Sequence, residues 1–137
     1  MKAVMSIGNP IKSDDNVGNV ILEKLEVEGM VKIKGEITPE NFLRELRDCE
    51  EIILLDALNF GGEVGEVKVF NLDEIKEPSV STHSIPINLL KKFLPHSKIK
   101  IIGIQPKNIG FGTKLSEELE SKVESIVKKV EFLIHHL

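Results

Sequence analysis

The chain has 137 residues, 41% of them hydrophobic and 29% charged, with a formal net charge of −4 and an isoelectric point near 5.6. That length predicts a single domain over residues 1–137 with a real core, and the composition is ordinary for a soluble globular protein. The acidic balance argues against a nucleic-acid partner, and no leader or bilayer-length apolar run is present, so the expectation is a cytoplasmic, non-membrane protein. A single cysteine, Cys49, excludes an internal disulfide and a cysteine-rich metal site, and reads as a small buried hydrophobe.

The first strand is expected from Lys2 to Ile7. Gly8-Asn9-Pro10 follows as an irregular turn, with Gly8 permitting a sharp exit and Pro10 stiffening it. Asp14 and Asp15 then stand where a helix begins, at the carboxyl end of that strand, and Asn16 to Glu28 reads as the helix, closed by Gly29. A carboxylate there serves as a cap, and one is enough for a cap. Met30 to Glu36 alternates and predicts a second strand near an edge. Thr38-Pro39-Glu40-Asn41 is a helix start, with Phe42, Leu43 and Leu46 as its apolar stripe.

Ile52-Ile53-Leu54-Leu55-Asp56 is a continuous apolar run ending in an acid, as in a parallel strand buried on both faces. Asn59 to Gly65 is a glycine-rich loop, and Glu66 to Phe70 alternates. That fourth strand follows the third with no room for a helix, which predicts an antiparallel edge strand. Asp73 to Val80 reads as polar and irregular. Ser81-Thr82-His83-Ser84 precedes a helix carrying Ile85, Leu89, Leu90 and Phe93. Lys98 to Ile104 is a further buried strand and Lys107 to Lys114 a loop. Ser116 is expected to cap a last helix whose buried face is Leu119, Val123, Ile126, Val127, Val130 and Ile134.

Strands alternating with helices predict an α/β fold, a three-layer αβα sandwich around a mostly parallel sheet. Right-handed crossovers give a strand order beginning 2-1-3, with the later strands beyond the third. The first and third strands are then neighbours, and a crevice opens at their carboxyl ends. Asp15 follows one of these strands and Asp56 ends the other, so topology brings them together. Two carboxylates in one crevice require a cation, a donor network or a shared proton. His83, at a helix start, is a plausible third ligand, and imidazole with carboxylates suits Zn, Ni, Mn or Fe better than Mg or Ca. Capping or loop roles account for Asp56 and His83 equally simply. His96, His135 and His136 lie in a loop and at the chain end and receive no role.

Gly8-Asn9-Pro10 through Asp14-Asp15-Asn16-Val17-Gly18 resembles the N-terminal signature of the nickel–iron hydrogenase maturation endopeptidases. Thr38-Pro39-Glu40-Asn41, Asp56-Ala57, Thr82-His83 with Pro86, and Gly103-Ile104-Gln105-Pro106 with Gly110-Phe111 match further blocks in the same order. The resemblance is nearest to the formate-hydrogenlyase branch. It implies a peptidase that removes a short C-terminal extension from the hydrogenase large-subunit precursor after nickel insertion. It also implies a five-stranded twisted sheet between helices. The metal trio falls on Asp15, Asp56 and His83, with Asp15 and Asp56 as catalytic residues, nickel supplied by the precursor and zinc as a possible substitute. Hydrolysis assisted by the metal and hydrolysis of aspartic type both remain open. Val64 departs from the proline that relatives often carry, which bears on the stiffness of the Gly61–Gly65 loop. The resemblance further implies a monomer.

Two other classes share some of these features. Strand-then-Gly-Asn-Pro also resembles the opening of peptidyl-tRNA hydrolases, but their His-Asn block is absent and this chain is acidic. A non-catalytic nickel checkpoint that docks the precursor would use the same trio. A nucleotide-binding module would need a Walker or dinucleotide glycine pattern, which the first loop lacks.

Overall fold

The structure, a computed structural model, describes residues 1–74 and 81–137. Its centre is a five-stranded sheet in the order β2-β1-β3-β5-β4, formed by β1 (Lys2–Ser6), β2 (Met30–Lys34), β3 (Glu51–Ala57), β4 (Val67–Asn71) and β5 (Lys98–Ile104). The first four strands in that order run parallel, and β4 pairs antiparallel with β5 at the edge. The expected 2-1-3 order and the antiparallel edge are both found.

The alternation along β3 assigns the two cores. Ile53 and Leu55 face one apolar cluster with Val4, Ile102 and Ile104, and Ile52 and Leu54 face the other with Ala3, Met5 and Ile101. Helices α1 (Val17–Lys24) and α5 (Val123–His136) cover the first face through Val17, Ile21, Ile126 and Val130. Helices α2 (Leu43–Leu46) and α3 (Ser84–Phe93) cover the second through Leu46, Ile87 and Leu90. This is the three-layer αβα sandwich. Leu54 is wholly buried, and truncating such a side chain to alanine typically costs about 2–5 kcal/mol.

Several element boundaries differ from expectation. The first helix ends at Lys24, not Glu28, because Leu25 turns extended and drops into the core. Glu131 of α5 then accepts the Glu26 N–H at 2.7 Å, and Gly29, at φ +71°, serves the turn into β2. The second helix is a 3₁₀ turn, Pro39–Phe42, followed by one α turn. The last helix is interrupted: α4 (Glu117–Glu120) breaks before α5 begins. Ser116 occupies the N-cap position of α4 but makes no side-chain cap bond, because its hydroxyl donates to Asp14 instead. Of the segment Asp73 to Val80, expected to be irregular, Asp73 and Glu74 belong to the 3₁₀ turn Leu72–Glu74 and residues 75–80 lie outside those described.

The Gly61–Gly65 loop is anchored without a proline at Val64. Gln105 Oε1 accepts the Phe60 and Gly62 N–H groups at 2.9 and 3.1 Å, and Lys122 Nζ donates to the Val64 carbonyl at 2.7 Å.

Candidate metal centre

Three chain segments meet at the carboxyl edge of the sheet. Ser13–Asn16, following β1, forms a 3₁₀ turn, which α1 continues. Gly18, at the start of α1, lies against the strand ends. A Cβ there would come within 2.5 Å of the Leu55 carbonyl oxygen and 2.9 Å of that of Ile7. Glycine lets the helix start reach the tips of β1 and β3, and so places Asp15 beside Asp56, near the end of β3.

Neither acid of the adjacent pair caps the helix through its side chain. Asp14 is fully buried and accepts four hydrogen bonds: from the N–H groups of Lys107 (2.9 Å), Asn108 (3.0 Å) and Ser116 (2.7 Å), and from the Ser116 hydroxyl (2.7 Å). It ties the loop after β5 to the turn after β1. Asp15, 1% exposed, points to the crevice. Its Oδ2 accepts the Asn9 N–H at 2.9 Å and lies 2.9 Å from His83 Nε2, and its Oδ1 accepts the Thr82 hydroxyl at 3.1 Å.

His83 is the N-cap residue of α3 by position, yet makes no side-chain cap bond, so its ring is free to face the acids. Asp56, wholly buried, accepts the Ser81 hydroxyl at Oδ2 at 2.8 Å, while its Oδ1 is buried with no hydrogen-bond partner. One ligand atom from each of Asp15, Asp56 and His83 lies within 4.8 Å of the others. The simple capping roles open to Asp15, Asp56 and His83 are therefore not the ones their side chains adopt. His96, His135 and His136 are exposed and take no part in this cluster.

The protonation pattern follows from the surroundings. Burial pushes Asp56 up to about 7, against the lowering pull of the His83 charge and the Ser81 hydrogen bond, with the Asp15 charge raising it further. Burial also works to raise Asp15, but the His83 hydrogen bond and charge, with the Asn9 N–H and Thr82 hydroxyl, hold it below the ordinary carboxylate value. Burial lowers His83, yet the Asp15 hydrogen bond and the charges of both acids carry it above the usual imidazole value. Without a cation, the arrangement favoured is an Asp15–His83 ion pair beside an Asp56 that still binds a proton near neutral pH.

A donor set of two carboxylates and one imidazole, with a buried carboxylate oxygen left unpaired, fits a divalent transition metal. Ser81, Thr82 and Asn9 orient its members. The sequence reading placed Ser81 and Thr82 only at a helix start. Their signal was the polar run directly before His83, whose hydroxyls here reach both acids.

The family model for hydrogenase maturation proteases matches residues 19–132. The chain belongs to the hydrogenase maturation protease family. This peptidase is 29% identical to the hydrogenase 3 maturation protease of Escherichia coli K12, over 93% of this chain and 87% of that one. Among solved structures it is similar to the endopeptidase HycI from E. coli, at 27% identity and TM-score 0.79 over 96% of this chain and 90% of that one. The hydrogenase maturating endopeptidase HybD from E. coli shares its fold, with TM-score 0.81 at 17% identity over 99% and 93% of the two chains. The family indicated by the ordered sequence blocks is the family found. No helix among the described residues is long and apolar enough to cross a membrane.

Proposed function

We propose that this peptidase removes the C-terminal extension of the large-subunit precursor of a nickel–iron hydrogenase, and that it recognises the nickel the precursor already carries. The observation that supports this is the convergence of Asp15, Asp56 and His83, with Asp56 Oδ1 buried and unpaired. Nickel arrives as part of the substrate, and these three side chains are the groups that would hold it. When bound, such a cation supplies electrophilic polarisation of a nearby peptide carbonyl.

The protein's own part is positioning and proton management. Asp15 and His83 keep each other in fixed orientation at 2.9 Å. In the metal-free site Asp56, raised to about 7, is protonated part of the time at neutral pH and is then suited to hand that proton to the departing amine, while ionised Asp15 is suited to accept one from the attacking water. That division is the one aspartic-type hydrolysis uses, in which one acid is ionised and one is not. The two mechanisms differ in their demand: the metal-assisted one ionises both acids, and the aspartic one retains a shared proton. We assign the activity to residues 1–137 acting as one domain, as a monomer, in the cytoplasm.

The test is incubation with nickel-loaded and nickel-free precursor, read by intact mass. Shortening of the loaded form alone supports the proposal. Shortening of both removes nickel recognition from it. A stable complex with an unshortened precursor replaces it with a non-catalytic checkpoint.

A further inference from the structure

The rim of the crevice carries exposed apolar side chains on loops that the fold holds in place. Ile11 is 54% exposed, Ile109 39% and Phe111 85%. Lys12 and Gly112 form an isolated parallel bridge, which makes Ile11 and Phe111 register neighbours on two loops far apart in sequence. Around that bridge the Gly112 N–H donates to the Ile11 carbonyl at 2.9 Å, that of Ser13 to the Gly112 carbonyl at 2.9 Å, and that of Asp14 to the Asn108 carbonyl at 2.8 Å. The Ser13 hydroxyl donates to the Gly110 carbonyl at 3.0 Å, and the Asp14 carboxylate closes the other end of the ladder. An aromatic side chain on a backbone already ordered loses little freedom on binding, which favours it as an anchor.

The same short segment leads into Asp15, three residues beyond Lys12. The trio is buried, and this strip is exposed apolar surface a few residues along the chain from one of its members, Asp15. The rim also has a sign. Lys12, between Ile11 and the 3₁₀ turn that carries Asp15, puts a positive charge on the strip in a chain of net charge −4. A chain end that brings apolar side chains and a terminal carboxylate complements it; a basic segment does not.

We propose that Ile11, Ile109 and Phe111 form a docking strip for the C-terminal segment of the precursor, with Lys12 giving that strip a charge suited to the terminal carboxylate. The strip sets affinity for the precursor and takes no part in the chemistry. This rests on the precursor-processing function proposed above.

The experiment compares the wild type with an Ile11→Ser, Phe111→Ser double variant. Phe132→Ser is the control, since Phe132 is 61% exposed on α5, whose end adjoins the opposite edge of the sheet. Steady-state cleavage of nickel-loaded precursor and direct calorimetric binding of that precursor are both measured. The double variant is expected to raise KM and Kd about tenfold with kcat retained, the scale of one anchor residue, and the control to match the wild type. Unchanged KM and Kd overturn the strip while leaving the peptidase function standing. If the wild type does not cleave, the proposed function fails, and the binding arm still decides the strip. If sedimentation shows a wild-type dimer that the double variant dissociates while precursor affinity is unchanged, the patch belongs to a second copy and the proposal is overturned.

Discussion

The Ser81 hydroxyl donates to Asp56 Oδ2 at 2.8 Å, and Ser81 Oγ in turn accepts the backbone N–H of His83 at 3.0 Å. One 1%-exposed serine thus links the acid on β3 to the backbone of the histidine that opens α3. Removing the hydroxyl frees both groups without touching the ligand atoms. Ser81→Ala is expected to weaken nickel or zinc affinity about 10–100-fold, the usual effect of losing a residue that orients a ligand. Titration calorimetry beside a thermal melt checks this. Unchanged affinity with a lowered Tm would make Ser81 merely structural.

The three ligand candidates are expected to be needed individually. Asp15→Asn, Asp56→Asn and His83→Ala should each lower cleavage of nickel-loaded precursor by about 10²–10³-fold, within the range of losing a positioned acid or base. Rates from intact-mass time courses decide it. A variant that processes at the wild-type rate removes that residue from the site.

The raised Asp56 value carries a pH signature in the metal-free protein. An acid whose folded value is about 7, above its ordinary 3.8, contributes no instability below about pH 4, and stability falls as pH rises from there through 7. His83 works in the same direction at higher pH: its raised value stabilises the fold while the ring is charged, and this is lost as pH climbs past it. Asp15, held low, stabilises above its ordinary value and loses that contribution in acid. Asp56→Asn removes the first effect and should stabilise the metal-free protein at pH 8 by up to about 4 kcal/mol, three pKa units at roughly 1.4 kcal/mol each. Urea unfolding at pH 3.5, pH 5 and pH 8 measures it: the gain should shrink to less than half at pH 5 and be nearly absent at pH 3.5, below the ordinary value of 3.8.

Asp14 is expected to matter to stability as much as Asp15 matters to chemistry. Asp14→Asn turns an acceptor of four hydrogen bonds into a group that also presents N–H to donors, with an expected cost of about 2–4 kcal/mol. Hydrogen exchange should quicken at the Lys107, Asn108 and Ser116 amides first. Exchange unchanged at those three sites would contradict the pinning role.

Gly18→Ala probes the close approach that positions the turn. Its methyl would meet two backbone carbonyl oxygens inside 3.0 Å, and neither can rotate away. A loss of about 3 kcal/mol is expected, at the upper end for overpacking. Denaturant titration measures it; a loss below 1 kcal/mol would mean that α1 slides freely on the strand ends.

The amino-acid sequence by itself determined the strands, the 2-1-3 start of their order and the sheet edge at which Asp15 and Asp56 meet, because apolar periodicity and crossover handedness are local or near-local properties. It carried the antiparallel β4 in the same way, since Asn59–Gly65 is too short for a crossover helix. It singled out Asp15 but left Asp14 with no role beyond a helix cap, since nothing local names the distant partners of an acid in a polar run. The division of work between the two acids is tertiary. Ser13 is held at φ +50° by bonds to residues 110 and 112, and the turn it starts is 3₁₀, with successive side chains about 120° apart. One acid consequently turns to the loop after β5 and the other to the crevice. The partners of Asp56, Gln105 and the Phe111 rim lie 25 to 100 residues away along the chain, and only packing brought them within hydrogen-bond reach.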